Sequence, residues 1–424
     1  MENFTGSTSS TKTASSCRMP REAWANRVTP AEWRMTYRPL AALRDMGPGV
    51  GDQETPVSSS RTKMASPVGS VTGSLAKEVS RFSRLFVAQV VAAPEAVTVG
   101  AFIPDDAEGI VQLFRAVYGD GYPIRLFYDP GAIIAANATG QYRGAIARTT
   151  SGEVVGVEHL FPSAPYPALL EAGVGLVRKD FRGAGLNRRL LGFLYEDYVP
   201  RHPEIEEIFG EAVCYHLHMQ RGVLEHRHVE TAVQVALMPA ETYALEKDSV
   251  SRVATLDLFR CYRPKPHTVF LPRAYEEVLR WTYGRLDDAR ALELSREPVP
   301  KDAHTAAEMA VFDYAAVARI AVRAAGEDLA ARLADLEHQA LDAGAVVVQV
   351  RLNLAEPWVD QAVDVLRDRG YFFGGALPRW FDGDGFLMQK LSCPPDFDGI
   401  VLASDAGRRL LETAVADWEE RHAV

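Results

Sequence analysis

Residues 171–194, EAGVGLVRKDFRGAGLNRRLLGFL, change period abruptly. EAGVGLV alternates as a strand, RGAG sets small residues behind an arginine, and Leu186, Leu190, Phe193 and Leu194 then recur at helical spacing. The chain must therefore pass from strand to helix through a glycine turn, which commits it to a mixed α and β fold. At a helix start the first backbone N–H groups have no intrahelical partner and the helix dipole adds partial positive charge, so the junction attracts an anion. Gly183, Ala184 and Gly185 keep side chains away from the backbone, while Arg182, Arg188 and Arg189 add local positive charge. The spacing predicts a phosphate or pyrophosphate ligand.

Any such site must be local, because the formal net charge of −10 argues against a general affinity for nucleic acid or anionic membrane. At 424 residues the chain exceeds one typical domain, so two folded units plus tails are expected. Cys17, Cys214, Cys261 and Cys393 form no CxxC pair and no disulfide framework, which fits a reducing cytoplasm. The best apolar run, LFVAQVVAA, stops at Pro94, short of a membrane helix. A soluble, cytoplasmic protein is expected. Residues 1–95 are rich in Ser, Thr, Gly and Pro without sustained periodicity over most of their length, and are read as a mostly disordered extension.

From residue 96 the pattern organises. AVTVGAF reads as a strand, DDAEGIVQLFRAVYG as an amphipathic helix, and FYDPGAIIAANATG as a second helix entered through Asp129-Pro130. The strands QYRGAIART and EVVGVEHLF follow, then EAGVGLV, the glycine turn and its helix, the strand IEEIFGEAV, a helical region near 217–226, and the strand VETAVQVALM. The turn is not a P-loop, since GxxxxGK[ST] is absent, and Arg188 stands where a dinucleotide fingerprint needs its third glycine.

Loop, flanking strand and element order together resemble the GNAT superfamily of acyl-CoA N-acyltransferases, whose loop reads [RQ]-x-x-G-x-[GA] after a strand ending V-x-P. The matching residues are Arg182, Gly183, Ala184, Gly185, Leu186 and Asn187, with Lys179 at the usual proline and Asn187 at the final small residue. The resemblance implies an α+β fold with a mixed, mostly antiparallel sheet flanked by helices, spanning residues 96–240. It also implies acetyl-CoA, or another short acyl-CoA, as co-substrate. The pyrophosphate would lie on Arg182 to Arg188, and the pantetheine arm would pair with the backbone of Gly175, Leu176 and Val177.

Transfer to an amine needs a base, because a free amine near pKa 10 is mostly protonated, and it needs donors for the oxyanion and the leaving thiolate. Glu211, at the end of its strand, is a candidate base or a salt-bridged strand-end residue. Tyr215, His216 and His218 follow, each a candidate acid or base or a surface residue. The tyrosine that protonates the thiolate in many relatives has its ungapped equivalent near Leu224, leaving that role unassigned. Alternation sends either Glu158 or His159 toward the cleft, unless the two are simply a sheet-edge pair. His216, His218, His226 and His228 show no recognised ligand spacing, so no metal is expected.

Residues 251–424 repeat the strand-helix-strand-helix-strand order and close in VLRDRGYFFGG…GFLMQKL, which also looks like the end of a GNAT domain. Their strand-to-helix junction, VRAAGEDLA, carries Glu327 and Asp328, read as an N-terminal cap and not an anion site. The expectation is two GNAT-like domains in tandem, the second degenerate, with a terminal helix near 403–421. Tyr118, Tyr122, Arg125, Phe127 and Tyr128 lie where relatives build the acceptor wall, and either line it or pack the core, so Tyr122, Tyr128 and Glu158 are candidate acceptor contacts. The expected activity is acetyl transfer to the amine of a small metabolite. A protein lysine acetyltransferase and a non-catalytic acyl-CoA-binding regulator are the alternatives, and nothing in the sequence sets the oligomeric state.

Overall fold

Most of the alternating segments become strands of one large sheet. A computed structural model describes residues 96–122, 124–239 and 251–422; the expected N-terminal extension and the stretch 240–250 lie outside the described residues. The first half runs β1 (Val97–Ala101), α1 (Ala107–Tyr118), α2 (Pro130–Ala138), β2 (Arg143–Thr149), β3 (Val154–Phe161), β4 (Leu169–Val177), α3 (Leu186–Gly192), β5 (Glu207–Val213), α4 (His218–Leu224) and β6 (Val229–Met238). This is the element order that the resemblance implied. Local chemistry sets the helix starts: Asp129 Oδ1 accepts from the N–H groups of Gly131 (2.8 Å) and Ala132 (3.2 Å), with Pro130 opening α2.

The second half runs β7 (Val253–Cys261), β8 (His267–Leu271), α5 (Glu276–Tyr283), β9 (Arg290–Leu294), β10 (Ala306–Phe312), β11 (Val317–Ala324), α6 (Leu329–Asp342), β12 (Val347–Asn353), α7 (Val359–Asp368), β13 (Phe372–Phe381), β14 (Gly383–Leu391) and α8 (Asp405–His422). Strand β9 was not anticipated; it pairs in parallel with β8 in a separate two-stranded sheet. Asp328 precedes α6 but does not cap it with its side chain. It is nonetheless the N-cap residue of α6, its carbonyl accepting from Arg332 N at 2.8 Å, while its Oδ1 accepts from Thr305 N at 2.7 Å.

The twelve-stranded sheet has the order β1-β2-β3-β4-β5-β7-β6-β13-β14-β12-β11-β10. In the first half β4 is parallel to β5, and β7 lies antiparallel between β5 and β6. In the second half β11 is parallel to β12, and β14 lies antiparallel between β12 and β13. The two halves thus share one pairing scheme and meet at their equivalent strands β6 and β13. Strand β7, which heads the second half in sequence, pairs inside the first.

The halves differ where their parallel strands meet. Strands β11 and β12 stay in register from Val317↔Val347 to Val322↔Leu352. Strands β4 and β5 pair only at Leu169↔Glu207, Leu170↔Ile208 and Glu171↔Phe209, and then diverge. Just past that point β4 bulges, since Val157 pairs with Leu176 and His159 with Gly173, leaving Val174 (φ 53°) and Gly175 opposite Glu158 alone.

At the seam, β6 and β13 pair at a single position, Gly375↔Ala232. Gln389 of β14 spans the rest: its Nε2 donates to the carbonyls of Val233 and Phe373, both at 2.9 Å, and its Oε1 accepts from Val235 N at 2.8 Å. Gly375 (φ 132°) leaves no room for a side chain, because a Cβ would stand 2.3 Å from Thr231 O and 2.4 Å from Ala232 Cα. Gly375→Ala should therefore cost at least about 3 kcal/mol, combining strain with overpacking. Gly344→Ala, at φ 85° with nothing within 4 Å, should cost only about 1 kcal/mol. Urea denaturation of the two variants checks this, and equal losses would show that the seam does not limit stability.

Candidate functional site

The divergence of β4 from β5 makes an opening in the sheet, and the glycine loop stands at its end. Gly183 (φ 80°) and Gly185 (φ 70°) both adopt left-handed backbone, and Gly185 is the residue from which α3 starts. Among the described residues nothing accepts a hydrogen bond from the backbone N–H groups of Gly183, Ala184, Gly185, Leu186, Asn187 or Arg188. Successive free N–H groups in a turn leading to a helix form a concavity suited to phosphate oxygens.

The arginines contribute less than their number suggests. Arg182 Nε donates to Val177 O at 3.2 Å, tying the loop to the end of β4. Arg189 Nη2 donates to Val97 O at 2.6 Å, and Arg178 is held by Glu153 and Asp180. Arg188 pairs at 3.0 Å with Glu225, and both side chains are exposed and solvent-screened. Asn187 turns inward, its Nδ2 reaching Met219 Sδ at 3.1 Å, so it joins α3 to α4.

On β4, Leu176 and Val177 are buried in the two opposite cores flanking the sheet, which leaves their backbone as the part that borders the opening. Gly175 is required there, because a Cβ would fall 1.9 Å from Glu158 Oε2. Helices α3 and α4 cover one face through Leu186, Leu190, Leu191, Met219 and Val223. The other face carries Phe209 and then Glu211, consecutive same-face residues of β5 where the strands part.

Of the expected catalytic residues, Glu211 lies within β5 and Tyr215 and His216 lie just beyond its end. Glu211 is buried in a polar chain: Gln234 Nε2 donates to it at 3.1 Å and to Asp257 at 2.6 Å, Gln349 Nε2 donates to Gln234 at 2.8 Å, and Arg319 Nη2 stands 3.5 Å from Glu211. His216 lies beyond the end of β5 with its ring 4.4 Å from that of Tyr215. Both of its ring nitrogens are buried without a hydrogen-bond partner among the described residues. Burial, with His218 nearby, lowers its pKa to about 4, so it is neutral at pH 7. Gln220 Nε2 fixes this turn by donating to the carbonyls of Val213 (3.2 Å), His216 (3.1 Å) and Val401 (2.9 Å).

The expected acceptor contacts move furthest from their reading. Tyr122 is 1% exposed and packs on Phe114 (4.9 Å) and Phe127 (6.0 Å), so in this structure it is a core residue and not a wall. Tyr128 OH accepts from Tyr122 N at 2.9 Å and pins the same segment. Glu158 and His159 face opposite sides. Glu158 lies against Gly175, while His159 joins Phe127 and Tyr142 and donates from Nδ1 to Val174 O at the bulge, 3.2 Å away. His226 and His228 pack around the buried Tyr195. The group Glu207, Cys261 and Asp288 has metal-like spacing, but Asp288 already accepts from Arg379 Nε (2.7 Å) and from the N–H groups of Lys265 and Ala289 (both 2.8 Å). Burial pushes Glu207 up to about 8, so it is largely protonated at neutral pH.

Sequence reasoning missed the contribution of the second half. Arg319 stacks on Phe312 (5.0 Å), and Arg351 stacks on Trp380 (4.4 Å), whose ring meets Phe209 at 5.6 Å. The signal was present in VVVQVRLNL, where Gln349 and Arg351 interrupt an otherwise apolar strand on one face.

No family model and no curated protein matches the sequence. Among solved structures, the chain is similar to spermidine/spermine N-acetyltransferase SpeG from Vibrio cholerae, at 13% identity over 39% of this chain and 95% of that one, with a TM-score of 0.30. It is similar to ribosomal-protein-S5-alanine acetyltransferase from Vibrio fischeri, at 11% identity over 39% and 93%, with a TM-score of 0.32. A third is an N-acetyltransferase from Staphylococcus aureus, at 11% identity over 39% and 98%, with a TM-score of 0.31. These solved structures are consistently GNAT acetyltransferases. No helix among the described residues is long and apolar enough to cross a membrane.

Burial holds His159 and His216 at about 4 and His228 at about 3, all below the ordinary histidine value of about 6.5. The unfolded chain therefore takes up protons that the fold refuses, and stability should fall as pH drops from about 6.5 toward 4. Denaturation at stepped pH values should show this slope, and it should be shallower in His159→Phe. An unchanged slope would mean that His159 is not held neutral.

Proposed function

We propose that this chain is an acyl-CoA-dependent N-acyltransferase that moves an acetyl group from acetyl-CoA to the amine of a small metabolite. The observation that carries the reading is the opening between β4 and β5, with the unpartnered N–H groups of Gly183 to Arg188 at its end. In this reading the pyrophosphate rests on those N–H groups. The pantetheine arm follows the edge of β4 at Gly175, Leu176 and Val177, which has no ladder partner beyond Glu171.

The chemistry is direct attack. The amine nitrogen bonds to the thioester carbonyl carbon, the C–S bond breaks, and the proton lost from nitrogen leaves through water toward a base. Of the three expected groups, His216 is the candidate proton acceptor because it is neutral at pH 7 and stands outside the polar chain that engages Glu211, although burial, which lowers its pKa to about 4, makes it a weak base. Tyr215, adjoining His216, is the group placed to position it. An N–H on the free edge of β4 near Val177 would hold the oxyanion.

The two halves act in this reading as tandem units of one fold, joined at β6 and β13. The continuous ladder between β11 and β12 leaves the second unit without a donor opening, so it serves to complete the sheet and wall the acceptor side. A second reading, an acyl-CoA-binding regulator, is favoured by Leu224, which cannot protonate a thiolate. A cytoplasmic location accords with the free thiols of Cys214, Cys261 and Cys393.

Two measurements decide between these readings. Arg182→Ala combined with Gly185→Glu should weaken acetyl-CoA binding at least about tenfold in calorimetric titration, equivalent to ~1.4 kcal/mol. Unchanged affinity would remove the loop from the donor site. Thiol release from acetyl-CoA across a panel of amines should be amine-dependent; tight binding without release would favour the regulator.

A further inference from the structure

The large sheet ends in two edge strands, β1 and β10, and the chain treats them differently. At the β1 edge Phe102 N donates to Gly144 O at 2.9 Å, so Val97, Val99 and Ala101 point their backbone groups away from β2. Two of these outward carbonyls are taken by the chain's own side chains. Arg189 Nη2 donates to Val97 O at 2.6 Å, and Arg148 Nη2 donates to Ala101 O at 2.8 Å. Guanidinium groups laid along an edge in this way keep another strand from joining it.

The β10 edge has no such cover. Ala316 O accepts from Val346 N at 2.8 Å on the β12 side, so the N–H of Val317, across the same peptide, turns toward β10. The pairs Val317↔Phe312, Arg319↔Ala310 and Ala321↔Glu308 are then the hydrogen-bonded ones, and Ala307, Met309 and Val311 point their N–H and C=O groups outward. Among the described residues nothing else hydrogen-bonds to the backbone of these three. The strand, AAEMAVF, carries no proline or lysine to guard it, and its one charge, Glu308, stands 4.0 Å from Arg323.

Outward residues at 307, 309 and 311 are self-complementary about Met309. An antiparallel second copy with Met309 on the two-fold axis sets Met309 against Met309 and Ala307 of each copy against Val311 of the other, each pair exchanging both N–H···O bonds. Glu308 then lies opposite Ala310, so no like charges stand directly across from each other. Pairing β10 with β1 of another copy would be head-to-tail and open-ended, and the arginines along β1 oppose it.

We infer that two copies of this chain associate through β10, antiparallel about a two-fold axis at Met309, and join their sheets into one. This association does not depend on the acyltransferase reading, since β10 belongs to the half without the glycine loop.

Sedimentation equilibrium of the full chain over a concentration series should show the mass rising from one chain to two and no further. Met309→Pro removes an N–H that β11 does not use, so in dilute solution it should leave the thermal unfolding midpoint nearly unchanged. It should weaken dimerisation at least about tenfold, the effect of losing the bonds that residue 309 exchanges across the axis. Met309→Lys and Met309→Glu should each weaken it too, by setting like charges against each other, and an equimolar mixture of the two should recover dimers. A chain that stays monomeric throughout would overturn the inference, as would a dimer that Met309→Pro leaves intact or a mixture that associates no better than its components. Growth beyond two copies would mean head-to-tail pairing and would overturn it as well.

Discussion

The arrangement depends on the parting of β4 from β5 after Glu171↔Phe209. A parallel pair inside a sheet normally continues its ladder, since each lost pairing strands backbone groups away from water. Here the bulge at Val174 and Gly175 turns β4 out of register, and the Glu158 carboxylate occupies the space a side chain at 175 would need. The strand is bent from its β3 side, and the opening toward β5 follows. Both the loop that ends β4 and the polar residues of β5 take their places from that bend.

The second half shows what the same pairing scheme does without the bend. Strands β11 and β12 have the order and direction of β4 and β5, yet their ladder is unbroken, and Glu327 and Asp328 stand where the first half has glycines and arginines. In the acyltransferase reading, closure of the ladder and the absence of an anion site from the second half go together. A continuous ladder leaves no free strand edge for a ligand, and with no phosphate to hold, acidic residues suit the positive end of the helix dipole. Polar residues are kept instead on the face turned toward the first half, as Arg319, Gln349 and Arg351.

Legibility in the sequence followed the range of the interactions. Periodicity and capping are local, so α2 with its Asp129-Pro130 entry, the strand and helix flanking the glycine loop, and the alternating β12 could all be read directly. Strand β9 could not, because it is short, charged and half-exposed, and it exists only by pairing with β8. Nor could the place of β7, since nothing in VATLDLFRC states that it inserts between β5 and β6. Wall and core both stay open for Tyr122 and Tyr128 in the sequence, because aromatic residues serve surfaces and cores alike, and only packing against Phe114 and Phe127 decides for Tyr122. The arginines of the loop were counted as charge, whereas hydrogen bonds to Val177 and Val97 make Arg182 and Arg189 fasteners.

These fasteners hold a loop whose backbone N–H groups have their direction fixed by Gly183 and Gly185, and no side-chain substitution outside the loop removes those groups. The buried polar residues, by contrast, are borne by two separate stretches of sequence, β5, β6 and β7 on one side and β11 and β12 on the other. The chain of Glu211, Gln234, Gln349 and Arg319 couples these stretches through hydrogen bonds among buried groups. Replacing one member strands its neighbours at the desolvation cost of a buried polar group, about 1–3 kcal/mol. This polar chain is consequently a single unit that must change together, and the glycine loop stands outside it.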